Sequence, residues 1–274
     1  MASKSINPFE ITNVFICGAG QMGTWISQKI STQGFNTIIY DTNEKTLKTI
    51  QEKKIKNLSI ENSISKASNA DLIIETITED ATQKKQLFNT LFDISTEKTI
   101  LTSNTSALDP NKFIQNENIK RRFACFHFYT PNTIVDIMPF PNTNPDIVQA
   151  LVLFANHIKE IPIVLNKIIP GYLVGAMASA TTDVALSLLE TGTVTPETID
   201  KAWCSVTGMK IGPLAILDQV GLDTSLKIRK IRLEKSPNDE RLKTAIKVLE
   251  NYVLQGKLGL KSKIGIYNYL RNDS

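Results

Sequence analysis

The chain has 274 residues, 42% of them hydrophobic and 21% charged, enough material for one large or two medium domains with their own cores. Its formal net charge is +4, but Lys and Arg alternate with Asp and Glu along most of its length. The like-charged clusters, Lys53-Lys54 and Lys120-Arg121-Arg122, are short and read as solvated surface, so no nucleic-acid partner is expected.

The opening MASKSINPFE lacks the apolar core of a signal peptide, and no apolar stretch approaches the ~20 residues of a membrane span; a cytoplasmic protein without a membrane partner is expected. Apolar runs at Asn13–Cys17, Asn36–Tyr40, Asp71–Glu75, Thr99–Thr102, Phe123–Phe126 and Ile161–Val164 read as strands. Amphipathic stretches at Gln21–Thr32, Thr82–Ile94 and Asp146–Ile158 read as helices between them. This alternation predicts an α/β fold with a mostly parallel sheet. After Pro170-Gly171 the pattern turns helical, with one long helix ending at Gly192 and a second starting at Thr195-Pro196. PNDERLKTAIKVLENYVLQGK supplies a third. The expected division is therefore an N-terminal Rossmann-like domain, 1–167, and an all-α domain, 168–274.

Three glycines, Gly18, Gly20 and Gly23, follow the first strand and open the first helix in CGAGQMG. A GxGxxG in that setting predicts a dinucleotide site formed by Gly18, Ala19, Gly20, Gln21, Met22 and Gly23. The pyrophosphate would lie at the helix N-terminus. Asp41 ends the second strand 18 residues after Gly23, where a carboxylate can accept from ribose hydroxyls and repels a 2′-phosphate. NAD is the expected cofactor. The three cysteines, Cys17, Cys125 and Cys204, form no CxxC pair; Cys17 and Cys125 read as buried thiols in a reducing compartment, and no metal is expected.

SNTSAL at Ser103–Leu108, FACFHFYTP at Phe123–Pro131, DLIIETITEDATQKKQLF, IPGYLV, Lys210–Asp223 and Gly256–Tyr269 follow in an order that resembles the 3-hydroxyacyl-CoA dehydrogenases from end to end. The resemblance implies interconversion of a 3-hydroxyacyl and a 3-oxoacyl thioester with NAD, substrate in a cleft between two domains, and a homodimer through the helical one. It makes His127 the catalytic base and Ser106, 21 positions earlier, its hydroxyl partner. Glu79, Lys84 and Lys261 fall at cofactor-contacting positions. Chemically, a histidine can take a hydroxyl proton near neutral pH while hydride leaves the carbon. The other histidine, His157, matches no motif and reads as structural or exposed.

Three departures stand out. The family's glutamate 12 residues after the histidine falls on Pro139 without a gap; aligning VDIMP with the family's strand instead places Asp136 there, and a His127–Asp136 pair is expected. The family's asparagine and arginine in PGFxxNR fall at Gly175 and Ala176, and Thr130 replaces a further asparagine. Only 29 residues, Thr42–Ala70, separate Asp41 from the next strand, room for one helix and a short strand rather than the hairpin that helps grip coenzyme A. The acyl carrier could then be coenzyme A or an acyl carrier protein, the latter meeting Lys53, Lys54 and Lys56. The substrate could also be a free hydroxy acid, or the chain an NAD-binding protein with impaired catalysis.

Overall fold

The computed structural model describes residues 10–169 and 171–270. Residues 1–9, read above as lacking a leader's core, and Pro170 of the boundary dipeptide lie outside the described residues. The chain divides into two compact units that part between Leu173 and Val174. The expected boundary at 167/168 lies a few residues earlier.

The first unit is an eight-stranded sheet. Its strands are β1 (Asn13–Cys17), β2 (Asn36–Tyr40), β3 (Leu58–Glu61), β4 (Leu72–Glu75), β5 (Ile100–Ser103), β6 (Phe123–Phe128), β7 (Ile134–Pro139) and β8 (Ile161–Val164). They lie in the order β3-β2-β1-β4-β5-β6-β7-β8. All neighbours pair in parallel except β6 and β7, which form an antiparallel hairpin. The apolar runs of β1, β4 and β5 are buried throughout or nearly so, as strands covered on both faces must be. One face carries Ile16, Ile26, Ile74, Phe126 and Phe154; the other carries Phe15, Phe88, Leu101, Phe123 and Cys125.

Crossover helices α1 (Gln21–Thr32), α2 (Glu44–Gln51), α3 (Ala81–Ile94), α4 (Glu117–Lys120) and α5 (Pro145–His157) join these strands. Side-chain oxygens start most of them: Asn43 caps α2, Asp80 caps α3, Asn116 caps α4, and Asn144 caps α5 ahead of Pro145. α1 is the exception. Its N-cap is Gly20, which has no side chain to offer.

The second unit is helical, with α6 (Tyr172–Glu190, starting in the first unit), α7 (Pro196–Thr207), α8 (Pro213–Val220), α9 (Leu222–Lys235) and α10 (Glu240–Leu254). Leu186, Leu214, Leu217, Leu222, Ala245 and Leu249 form its core. Asp200 of α7 accepts from the Leu214 and Ala215 amides, each at 2.9 Å, and so caps α8 from outside. Buried Asp218 accepts from the Ile266 and Tyr267 amides and the Tyr269 hydroxyl. These carboxylates hold the 210–223 and 256–269 stretches in place.

α6 corrects one expectation. It is 19 residues long and, by length and composition alone, apolar enough to cross a bilayer. A single such helix is weak ground for a span. Asp183 on it is buried and ion-paired with Arg229 and Arg232 of α9.

Candidate active site

In a parallel sheet the strands' C-terminal ends share one edge, and ligands bind along it. The glycine turn after β1, Glu75 at the end of β4, Ser103 at the end of β5 and His127 near the end of β6 all lie there.

The glycine turn is built by close approach. Gly18 has φ +107°, and a Cβ on it would stand 2.8 Å from the Thr76 carbonyl oxygen. A Cβ on Gly23 would stand 1.9 Å from the Gly18 oxygen. Thr76 buttresses the turn, its hydroxyl donating to the Cys17 and Gly18 carbonyls at 3.0 and 2.9 Å. At Gly20 the space is open, with nothing within 4 Å of a built Cβ. The uncapped first turn of α1 thus presents backbone amides, from Gln21 onward, beside room for a phosphate. Asp41 braces the same turn: Oδ2 accepts from the Ala19 amide at 2.6 Å and Oδ1 from the Asn43 amide at 2.8 Å. The Ala19 amide is therefore committed to Asp41. This cradle, with a carboxylate at its rim, fits NAD.

The turn after β5 is organised by Glu79. Its Oε1 accepts from the Thr105 hydroxyl at 2.6 Å and from the Ser106 and Ala107 amides at 2.9 and 3.0 Å. Burial pushes the Glu79 carboxyl up, but these donors and Lys84 hold it below the usual carboxylate range. Lys84 points inward. Its Nζ, on a side chain 1% exposed, bonds Glu75 Oε1 at 2.5 Å and lies 3.4 Å from Glu79 Oε2. Glu75, itself buried, takes the Ser103 hydroxyl at 2.6 Å on its other oxygen. Asn104 ties this turn to β6 by accepting from the Phe128 amide at 2.9 Å.

His127 is 9% exposed and pairs directly with Asp136 across the β6–β7 hairpin. Opposed residues on such a hairpin project from the same face. His127 Nδ1 and Asp136 Oδ1 are both buried with no hydrogen-bond partner. Asp136 Oδ2 accepts from the Tyr129 hydroxyl at 2.5 Å. Two rings frame the imidazole: Tyr129 edge-on at 4.5 Å and Tyr172 stacked at 4.4 Å, within 9° of parallel. Burial pushes the His127 pKa down to about 4, with Glu79 pulling it back up. Burial also raises the Asp136 carboxyl, against the Tyr129 hydroxyl and the Leu173 amide.

Ser106 sits exposed on the Glu79-organised turn. Lys261 belongs to the second unit, where it bonds Asp223 and Thr224. His157 is exposed and edge-on to Phe35 at 5.0 Å; Cys17 and Cys125 are buried free thiols. Between Asp41 and β4 there is only the eight-residue α2, the short β3 and a 3-10 turn, so no helical hairpin is present. Sequence reasoning passed over Glu75, Thr76, Tyr129 and Tyr172. A charged residue closing the apolar run LIIE was the one visible signal among them.

The dinucleotide cradle and the buried imidazole on one sheet edge define a nicotinamide-dependent oxidoreductase. Residues 49–168 match the 3-hydroxyacyl-CoA dehydrogenase NAD binding domain, and residues 171–269 match the C-terminal domain of the same family. A probable 3-hydroxybutyryl-CoA dehydrogenase of Bacillus subtilis is 30% identical over 95% of this chain and 98% of its own. Among solved structures, a diketoreductase acting on dicarbonyl compounds superposes with a TM-score of 0.82 at 29% identity, covering 94% of this chain and 99% of its own. The (S)-3-hydroxybutyryl-CoA dehydrogenase of Ralstonia eutropha gives 0.84 at 26%, covering 96% and 100%. The chain belongs to the 3-hydroxyacyl-CoA dehydrogenase family and is an NAD-dependent oxidoreductase.

Proposed function

We propose that this enzyme interconverts a 3-hydroxyacyl-CoA and its 3-oxoacyl form, with His127 as general base, Ser106 as the hydroxyl that orients the substrate oxygen, and Asp136 as the acid behind the imidazole. The observation that carries the reading is the strand register that sets His127 opposite Asp136 on one face; Nδ1 and Oδ1 are buried there and not hydrogen-bonded to each other. Bound NAD supplies the hydride acceptor. The glycine turn and α1 amides would hold its phosphates, and Asp41 its ribose. His127 rests neutral at pH 7, because burial disfavours its charged form, and so is ready to take the hydroxyl proton. The imidazolium that results needs a counter-charge. Asp136 would provide it through a charge-assisted hydrogen bond from Nδ1–H to Oδ1, a bond not formed in this structure, where both atoms lack a partner. Lys84 acts through Glu75 and Glu79 to hold the Ser103–Leu108 turn that presents Ser106.

A second reading replaces the thioester by a free hydroxy acid or dicarbonyl compound. Two observations favour it: α2 is the sole helix where a coenzyme A grip would stand, and the diketoreductase above is a relative at 29% identity. An acyl carrier protein is a third source of the same thioester, with Lys53, Lys54 and Lys56 the positive charges it would meet.

NADH oxidation followed at 340 nm with acetoacetyl-CoA, its carrier-protein equivalent and free acetoacetate separates these. Highest kcat/KM on acetoacetyl-CoA supports the first reading, and highest on free acetoacetate the second. NADH binding with no turnover on any of them leaves a dinucleotide-binding protein without this chemistry. Asp136→Asn should lower kcat about tenfold or more without weakening NADH binding. Near-normal rates would reject the pairing.

A further inference from the structure

We propose that Tyr172 is a positioning residue of the active site, one ring that fixes both the plane of His127 and the place of the turn that carries Ser106. The inference rests on the reading of His127 and Ser106 given above.

Tyr172 is 2% exposed and stacks on the imidazole at 4.4 Å and 9°. Its hydroxyl donates to the Thr105 carbonyl oxygen at 2.6 Å, one residue before Ser106. A single side chain therefore touches the base and the backbone of the hydroxyl-bearing turn. The next residue, Leu173, places its amide beside the Asp136 carboxylate, so the same segment reaches both members of the His127–Asp136 pair. All these residues lie within the first compact unit.

The backbone at Tyr172 shows that this placement is held against a local preference. Its φ is +56°, in the left-handed region where a bulky residue is strained. Strain of this kind persists where surrounding contacts over-determine it, and it concentrates at functional sites. Here the contacts are the stack, the 2.6 Å hydrogen bond and burial against Cys125. The effect on the base follows. Stacked between Tyr172 and the edge of Tyr129, the imidazole is shielded from water and kept in one orientation, with Nδ1 unpartnered opposite Asp136. The titratable groups around it are Tyr129 just after β6, Asp136 on β7, Tyr172 at the start of α6 and Glu79 after β4.

The test uses the full chain with two substitutions, Tyr172→Phe and Tyr172→Leu. The chain has only two histidines, so the His127 ring signal can be titrated by NMR, with His157→Gln supplying the assignment. Tyr172→Phe keeps the stack and removes the Thr105 hydrogen bond. It should leave the His127 titration within about half a unit of wild type while lowering kcat about tenfold, with KM for NADH unchanged. Tyr172→Leu opens the ring to water and should raise the His127 pKa by about one unit or more, with a larger loss of kcat. Unchanged His127 titration in folded Tyr172→Leu would overturn the stacking half. Should that variant not fold, Tyr172→Phe decides, and wild-type kcat in it overturns the proposal. Full turnover in His127→Gln would instead reject the catalytic reading, while the titration still decides whether Tyr172 governs the imidazole.

Discussion

At His127 the physical problem is charge in a place without water. Burial holds the imidazole neutral, with a pKa of about 4 against about 6.5 in an unfolded chain. The folded protein therefore binds fewer protons than the unfolded one between these values, so this residue's stabilising contribution is complete above pH 6.5 and is lost as pH falls toward 4. The difference in unfolding free energy between wild type and His127→Gln should shrink by about 3 kcal/mol from pH 7 to pH 4, measured by urea denaturation. A pH-independent difference would mean the imidazole is not held neutral. The glycine turn permits an equally local test. Gly23→Ala puts a methyl 1.9 Å from the Gly18 oxygen, so NADH binding by calorimetry should weaken at least about tenfold. At this scale the spacing of Gly18 and Gly23 is legible in the sequence, and the fold leaves no room for a side chain at either. The sequence could not reveal that Lys84 turns inward onto Glu75. Only the fold brings the end of β4 beside the first turn of α3, and nothing in that amphipathic pattern sets this lysine apart from its neighbour Lys85.

At the scale of elements, the β6–β7 hairpin carries the most weight. Antiparallel register sets His127 opposite Asp136, and a shift by one residue would send one of the two to the other face. Aligning VDIMP with the family's strand puts Asp136 opposite His127 in register, but the expected hydrogen bond between them is not formed in this structure. The tyrosines that frame the imidazole were invisible, since each reads in sequence as one more aromatic in an apolar run. α8 and α9 were missed for a different reason. α8 takes its cap from Asp200 on another helix, and the buried side of α9 includes Ser225 and Arg229 while Ile231 is exposed, so no apolar stripe marks it. α6 contains Gly175, with nothing within 4 Å of a built Cβ. Gly175→Ala should stabilise the protein by about 0.5–1 kcal/mol, read as a rise in Tm. A fall in Tm would show that the site is tighter than its surroundings indicate.

At the scale of the whole molecule, the strand alternation in the first unit and the helical pattern in the second were legible because both periodicities reflect burial. The assembly is not written in them. Met177, Val184 and Leu188 project from α6 at 64%, 40% and 45% exposure, at spacings that place them along one side of the helix. Such a stripe supports the homodimer that family resemblance implies. Sedimentation velocity should then find a dimer in wild type and a monomer in Met177→Glu; a wild-type monomer would exclude it. The central claim is that one buried imidazole moves the alcohol proton in an NAD-dependent reaction. Its most direct test is the 340 nm rate with NADH and acetoacetyl-CoA in wild type and His127→Gln, alongside NADH affinity. The account predicts clear wild-type turnover, a loss of about 100-fold or more in the variant, and unchanged NADH binding; equal rates in the two proteins would contradict it.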